Sequence, residues 1–522
     1  MDTKEILRFC LEKGLLLDKD LLTFFSEELD TDSFKIVIEK IKQATGKKFI
    51  TREIFEKNKE RMESFFIGIP KESQEKLKIK LGLTIEISKE REERAPVKAD
   101  AIKIKQATKE LEGIKVLSMN CLPGKKFGVE DFVNFFKNRF NEMKKVIQEN
   151  PAMENPVSID KLNGAKQGVS IIGMVYDKKT TKNKNILLEV EDTTGRIKIL
   201  VNQGKEELYK KAEEIALDSV IGFKCSGNRE ILFANEIIFP ETSLLERKKS
   251  PEDEQVVFIS DVHYGSKNFM KDNFERFIEY LNGNLSNPQE ALKIKYLFIV
   301  GDLITGIGNY PNQERDLAIK DLEDQYTGIA EILGKLRKDL KIIISPGNHE
   351  GVRLMEPQPL YDEKYAWALY DLENVILTEN PATINLGAKG NFYGFNVLLY
   401  HGFSFPFYVD NVPRLTKEKA MNSPEKIMEY LLKHRHLAPT HGSAQYYPGP
   451  KDIHFIKDIP DILVSGHTHK SAITYHNNIL VISGSSWETL TPYQEKFGNT
   501  PDHCKVPLVN LKTREVKILD FE

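Results

Sequence analysis

Residues 256–263, VVFISDVH, carry the pattern on which the fold turns. Consecutive apolar residues with no polar alternate fit a strand covered on both faces, and the run ends in Asp261 and His263, side chains that bind metals and move protons. The pattern recurs. YLFIV (296–300) leads into Gly301-Asp302, and KIIIS (341–345) leads through Pro346 into Gly347-Asn348-His349-Glu350. NVLLY (396–400) leads into His401-Gly402, and DILVS (461–465) into Gly466-His467-Thr468-His469. Helical patterns separate some of these runs, as in DNFERFIEYLN (272–282) and AIKDLEDQYTGIAEILGKLRKDL (318–340). Strands alternating with helices predict an open α/β sheet, in which sites collect beyond the carboxyl ends of the strands.

Asp261, His263, Asp302, Asn348, His401, His467 and His469 would then converge on one edge. Two carboxylates, one amide oxygen and four imidazoles are oxygen and nitrogen ligands, too many for one ion and well suited to two. In a two-metal site with ions about 3.5–4 Å apart, one carboxylate bridges both, and Asp302 is the natural bridge because its cluster offers no other ligand. Asp-x-His, Gly-Asp or Asn-His-Glu alone is weak, and His-Thr-His is moderately specific. Their occurrence together, each closing an apolar run, argues for a site. The other histidines, His434, His436, His441, His454, His476 and His503, lack such support and are expected on the surface or in the core.

Composition bounds the rest. The 522 residues, enough for roughly three or four domains, carry 75 Lys+Arg against 78 Asp+Glu. The net charge of -3 argues against wholesale coating of a polyanion. Four scattered cysteines with no CxxC pair exclude a zinc ribbon and a disulfide framework. The charged start MDTKEILRFCLEKG has no signal-peptide core. The longest uncharged stretch, Gly390 to Val409, holds three glycines, two asparagines and a histidine and is a poor membrane span. A soluble, intracellular, multidomain protein with no membrane partner is expected. All eleven histidines lie at or after His263, so the chemistry belongs to the second half.

In residues 1–70, KEILRFCLEKGLLL, DLLTFFSEEL and SFKIVIEKIKQATG repeat apolar residues at helical spacing, the last with Asp32 or Ser33 as its cap, and a small helical domain is expected. Residues 71–128 read as a linker, with a charge run at Lys89–Arg94. VEDFVNFFKNRFNEMKKVIQ (129–148) is an amphipathic helix whose Phe132, Phe135, Phe136 and Phe140 form a packing stripe, within a helical connector over 129–164. From 165 to 245 the period changes to strand-like alternation, then a helix at Lys205–Ile215, then two more strands, which predicts an OB-like β-barrel. Its strands carry few aromatics (Tyr176, Phe223, Phe233), which favours a structural or subunit-contacting barrel over a stacking platform. A charged linker near 250 precedes the last domain, residues 253–522.

Asp-x-His, Gly-Asp, Gly-Asn-His-Glu, His-Gly and Gly-His-Thr-His match the calcineurin-like metallophosphoesterases in order and type over about residues 255–490. That resemblance implies an α/β sandwich with two divalent ions, Mn2+ favoured and Mg2+, Fe2+ or Zn2+ as alternatives. One ion would take Asp261, His263, Asp302 and His469, the other Asp302, Asn348, His401 and His467, and His349 would face the scissile phosphate as a catalytic residue. The whole architecture, with VEDFVNFFKNRF, LLEVEDTTGRIKILV and RHLAPTHG, resembles the small subunit of archaeal D-family DNA polymerases. This implies a proofreading 3′→5′ exonuclease acting on single-stranded or mismatched 3′ DNA ends. It also implies a large catalytic subunit and a sliding clamp as partners, and a cytoplasmic, nucleoid-associated location. The aromatics of GFSFPFYVDNV (402–412) and Tyr446-Tyr447-Pro448 are expected to stack on unpaired bases, or to form a lid or subunit interface. A stand-alone phosphoesterase on nucleotides or phosphoproteins, and a scaffold subunit with little activity, are the competing readings.

Overall fold

The computed structural model describes residues 3–18, 22, 31–45, 49–50, 111–118, 126–162, 164, 166–285, 287–491, 495 and 500–522. Met1–Pro96 and Val97–Glu522 form two compact units. The first contains helices Thr3–Glu12 and Thr31–Thr45 and a short parallel pair, β1 (Leu16–Leu17) and β2 (Phe49–Ile50). Ile6 and Cys10 on one helix and Phe34, Val37 and Ile38 on the other are buried, the helical spacing read from the sequence. The second of these helices begins at Thr31, so Asp32 and Ser33 lie in its first turn. The expected helix over DLLTFFSEEL (apart from Leu22) and the charge run Lys89–Arg94 lie outside the described residues.

In the second unit the first strand is β3 (Ile114–Val116), paired antiparallel with a later strand of the α/β half. Residues 71–128 are therefore not linker throughout: three residues are too few for alternation to show in the sequence, and the partner strand supplies the pairing. A closed five-stranded barrel follows: β4 (Lys166–Thr180), β5 (Ile186–Glu191), β6 (Arg196–Val201), β7 (Val220–Gly227) and β8 (Leu232–Ile238), in the order β4-β5-β6-β8-β7. Ile186, Leu188 and Val190 on β5, with Ile197, Ile199 and Val201 on β6, fill its interior at period two. Helix Glu206–Glu213 packs Leu208 and Ala212 against the same core.

Helix Val129–Gln148 lies on the outside of the barrel, where Phe140, Met143 and Ile147 meet Ile172, Met174, Val220 and Ile238. The phenylalanine stripe is packing, with Phe135 and Phe140 buried. One helical residue resists the amphipathic pattern. Arg139 is 1% exposed, its guanidinium bonded to the Asp452 carboxylate and the Pro439 carbonyl. His436 Nε2 reaches the same Asp452 oxygen at 2.9 Å. Thr440 Oγ1 donates to the Leu217 carbonyl at 3.1 Å and the His441 N–H to Asp218 Oδ2 at 2.8 Å, so the segment that holds Arg139 also grips the barrel.

The remaining chain is a sandwich of two six-stranded sheets. The first runs β12-β11-β10-β9-β18-β19, with β9 Gln255–Ile259, β10 Ile294–Val300, β11 Lys341–Ser345, β12 Val375–Leu377, β18 Lys505–Asn510 and β19 Val516–Asp520. The second runs β16-β17-β15-β14-β13-β3, with β13 Ala382–Leu386, β14 Phe395–Leu399, β15 Ile462–Ser465, β16 Ala472–His476 and β17 Ile479–Ser483. Val256, Phe258, Phe298, Val300 and Ile343 point between the sheets against Val397, Leu399, Val464 and Ile482. The alternate residues Val257, Ile259, Leu297, Ile299, Ile342 and Ile344 face helices such as Lys271–Leu281 and Leu322–Leu333. Both faces are covered, which is why these strands read as unbroken apolar runs. β9, β10, β11 and β12 are mutually parallel, as are β14, β15 and β17, so the ends of the ligand-bearing runs gather on one edge.

Removing one partner of a buried ion pair leaves a charge without compensation. Arg139→Met is therefore expected to cost about 3–5 kcal/mol of unfolding free energy, measured by urea denaturation of this unit. Burial pushes His436 down to about 3, so below the ordinary histidine value of 6.5 the unfolded chain takes up a proton that the folded chain refuses. Burial opposes the ionised form of Asp452, but Arg139 and His436 outweigh it and hold the carboxyl well below the usual range. Both groups make stability fall with falling pH, first His436 and then, below the ordinary carboxylate range, Asp452; equilibrium unfolding at a series of pH values reads this directly.

Candidate metal centre

The five runs deliver their polar ends to one place. Just past β9, Asp261 and His263 have φ of 49° and 51°; past β10, Asp302 has φ 52°; past β15, His467 and His469 have φ of 68° and 55°. Left-handed backbone at non-glycine residues costs roughly 1–3 kcal/mol each and persists where surrounding structure enforces it. Here the loops enforce it on one another. The Asp261 N–H donates to the Gly301 carbonyl, His263 N–H to the Asp302 carbonyl, Gly301 N–H to the Ser345 carbonyl and Gly466 N–H to the His401 carbonyl, each at 3.0 Å. Glycine is needed where these loops cross. A Cβ on Gly347 would lie 2.3 Å from Asp302 Oδ1, and one on Gly301, whose φ is +80°, would lie 2.1 Å from His401 Nδ1.

Three groups of side chains meet there: Asp261–His263–His469, His263–Asp302–His349 and Asp302–His401–His467, each with donor atoms within 4.8 Å of one another. Asp302 Oδ2 lies 3.2 Å from His401 Nε2, 3.9 Å from His263 Nε2 and 3.9 Å from His349 Nε2. Asp261 Oδ1 lies 3.4 Å from His469 Nε2 and 4.0 Å from His263 Nε2. Asn348 Oδ1 sits between His467 Nδ1 at 3.0 Å and His401 Nε2 at 3.2 Å. All seven ligand candidates and His349 are thus together, and Asp302 joins the two halves.

The donor set fits divalent cations. His263 Nε2 and His469 Nε2 face each other at 3.1 Å, a contact in which two lone pairs repel unless a proton or a metal ion lies between them. Burial, then the neighbouring His349 and His469, push His263 well below its ordinary value, so it stays neutral, as a ligand must. Burial likewise lowers His467 to about 4. Burial opposes charge on Asp302, yet His401 and His349 outweigh it and hold the carboxyl well below the usual range. The far nitrogen of His401 is committed elsewhere, with Nδ1 3.1 Å from the Val300 carbonyl, which turns Nε2 toward Asp302.

Several residues around the ligands escaped the sequence reading. Buried Glu350 accepts from the backbone N–H groups of Leu303 and Gly347, and so fixes the loops carrying Asp302 and Asn348. Buried Gln358 donates to the Gly347 carbonyl at 2.6 Å and accepts from Asn380 Nδ2 at 2.7 Å, while Asn380 Oδ1 accepts the His401 N–H at 2.9 Å. Glu488 is 6% exposed and hydrogen-bonded by Ser266, and the Trp487 N–H donates to the Asp261 carbonyl at 3.0 Å. A signal for the last two existed: ILVIS (479–483) is a further apolar run ending in a polar cluster, Gly484 to Glu488.

The aromatics divide. Phe403 is half-buried with its ring 6.0 Å from that of His467. Phe405 and Tyr408 are core, Tyr446 stacks on Phe135 at 4.7 Å, and Tyr447 is buried edge-on to Phe127 at 4.3 Å. Tyr446 therefore anchors helix Val129–Gln148, Tyr447 packs on the segment just before it, and the pair is not a stacking platform for bases. His434, His436 and His454 are buried, and His441 is exposed.

Residues 255–471 match the calcineurin-like phosphoesterase family. Over 403 residues, 75% of this chain and 64% of the relative, the sequence is 36% identical to the DNA polymerase II small subunit of Pyrococcus furiosus. Over 397 residues, 75% of this chain and 80% of the relative, it is 34% identical to that of Methanothermobacter thermautotrophicus, and over 409 residues, 77% and 80%, it is 32% identical to that of Thermoplasma acidophilum. The chain belongs to the archaeal DNA polymerase II small-subunit family. It spans under two thirds of the length of the Pyrococcus furiosus relative.

Metal analysis after dialysis against Mn2+ is expected to find two ions per chain. Asp302→Ala is expected to lower the content below one, and His469→Ala or His467→Ala to remove one each while the circular dichroism of the fold is kept.

Proposed function

We propose that this chain is the proofreading 3′→5′ exonuclease subunit of a two-subunit archaeal replicative DNA polymerase. The observation that carries the reading is the closing of the complete donor set around Asp302, with His349 beside it and partly open to solvent. A scaffold that had shed catalysis would have no use for five left-handed turns aimed at one pocket.

In this reading Asp261, His263, Asp302 and His469 hold one divalent cation and Asp302, Asn348, His401 and His467 the other, with Mn2+ favoured and Mg2+, Fe2+ or Zn2+ as alternatives. When bound, the two cations would neutralise phosphoryl oxygens and lower the pKa of the attacking water. His349 presents Nε2 to the scissile phosphate and gives a proton to the departing 3′-oxygen, so that the P–O3′ bond breaks and a nucleoside 5′-monophosphate leaves. Phe403 lies where a terminal base would stack.

The remaining assignments follow. The closed barrel is an OB fold serving as a contact between subunits, residues 1–70 are a small helical domain, and 253–522 are the phosphoesterase domain. The partner is the large catalytic subunit, with a sliding clamp nearby, in a nucleoid-associated cytoplasmic assembly. No helix among the described residues is long and apolar enough to cross a membrane.

The test uses 5′-labelled single-stranded DNA and primer–templates with matched or mismatched ends, with Mn2+, Mg2+ or chelator, with and without the large subunit. Shortening from the 3′ end is expected, faster at mismatches and abolished by chelator and by Asp302→Ala. His349→Ala is expected to lower kcat about 10²–10⁴-fold while both ions stay bound. Intact DNA in every condition, with metal bound and the large subunit present, would overturn the reading.

A further inference from the structure

His349 leans on a loop that the ligands do not explain. Its N–H donates to Asp302 Oδ1 at 2.9 Å, and its ring Nδ1 lies 2.7 Å from the Thr305 carbonyl oxygen. A carbonyl oxygen has no proton to give, so the bond requires the proton on Nδ1. Nε2, the nitrogen 3.9 Å from Asp302 Oδ2, is then the one that faces the site, and it has a proton to give in the imidazolium form, in which both nitrogens are donors. The Thr305 carbonyl is itself held in place: Gln313 Nε2 donates to it at 2.9 Å and Asn309 Nδ2 at 3.1 Å, and Asn309 Nδ2 also lies 3.2 Å from His349 Nδ1, so it braces the ring directly as well. Gln313 Oε1 accepts the Asn309 N–H at 2.8 Å, so one amide, 1% exposed, fixes both ends of the segment 305–309. Beneath it the buried Gln325 accepts the Gly306 N–H at 2.9 Å and donates to the Gly306 carbonyl at 3.3 Å. A Cβ on Gly306 would lie 2.0 Å from the His349 carbonyl oxygen, so the two loops touch along their backbones.

We propose that Gln313, assisted by Asn309, is a positioning residue for His349: by holding the Thr305 carbonyl against Nδ1 it fixes the plane of the ring and turns Nε2 toward the reacting phosphate. This rests on the role given to His349 above and adds the device that makes the role possible. A backbone carbonyl orients the ring as a carboxylate would, without adding a second negative charge beside Asp302. Gln313 touches no ligand candidate, so its effect should reach catalysis through His349 alone.

Gln313→Met keeps length and burial and removes both hydrogen bonds. The full chain with bound Mn2+ would be assayed on a series of aryl phosphodiesters of rising leaving-group pKa and on DNA. With metal content and KM unchanged, kcat on DNA and on the poorest leaving groups is expected to fall about 10- to 100-fold, the usual range for a residue supporting a site group. Bis(4-nitrophenyl) phosphate, whose leaving group departs without a proton, is expected to fall far less. In a His349→Ala background Gln313→Met is expected to cost nothing further. Equal loss along the whole series, or an undiminished loss in that background, would overturn the proposal. Should Gln313→Met fail to fold, the exposed Asn309→Ala is expected to tilt the series in the same direction, and a flat series there would equally overturn it. Because the aryl esters report on His349 without DNA, a chain that cleaves them and spares DNA would refute the exonuclease reading alone.

Discussion

Asp302 is a buried carboxylate with imidazole nitrogens on three sides, and the architecture is arranged to bring them to it. A lone carboxylate in that position would be expelled or protonated. What keeps it ionised is supplied by residues far apart in sequence, on loops past β9, β11 and β14. The electrostatic demand of one group thus couples both sheets of the sandwich at a single edge.

The coupling does not depend on side chains alone. The loops exchange backbone hydrogen bonds beyond the ends of their strands, so the left-handed turns at Asp261, His263, Asp302, His467 and His469 are fixed by neighbouring loops. Glu350, Gln358 and Asn380 add a layer that sets the distance between the Asp302, Asn348 and His401 loops. A comparable but separate network, Arg139 with Asp452 and His436, fastens helix Val129–Gln148 to the phosphoesterase half. One buried charged cluster thus gathers the candidate ligands, and another attaches helix and barrel.

The buried strands were legible in the sequence because strands covered on both faces cannot hide their apolar runs, and the ligand candidates could be named because each closes such a run; the runs alone pointed to one open sheet, and the second sheet was implied only by the family resemblance. The barrel strands showed through the alternation of Ile186, Leu188 and Val190. Strand β3 was not legible: Ile114–Val116 is defined by its partner Ile384–Leu386 and carries no pattern of its own. Tyr446 and Tyr447 looked exposed because nothing in the sequence says that Phe135 and Phe127 will cover them. Arg139 and Gln313 were invisible for the same reason, since a polar residue on an amphipathic helix or in a polar loop looks solvated until its partner, hundreds of positions away or across a turn, is seen.

The strand order has a consequence for biosynthesis. The strand that leads into the first ligand candidates, β9, lies between β10 and β18, and β18 is made after the last candidate, His469. Until Lys505–Asn510 emerges, one side of β9 is an unsatisfied hydrogen-bonding edge beside five ligand-bearing loops that are otherwise complete. The nascent chain must therefore pass through an interval in which its candidate metal ligands exist without the full sheet that shapes them. Capture of a wrong ion, or pairing of that edge with another chain, has its opportunity then.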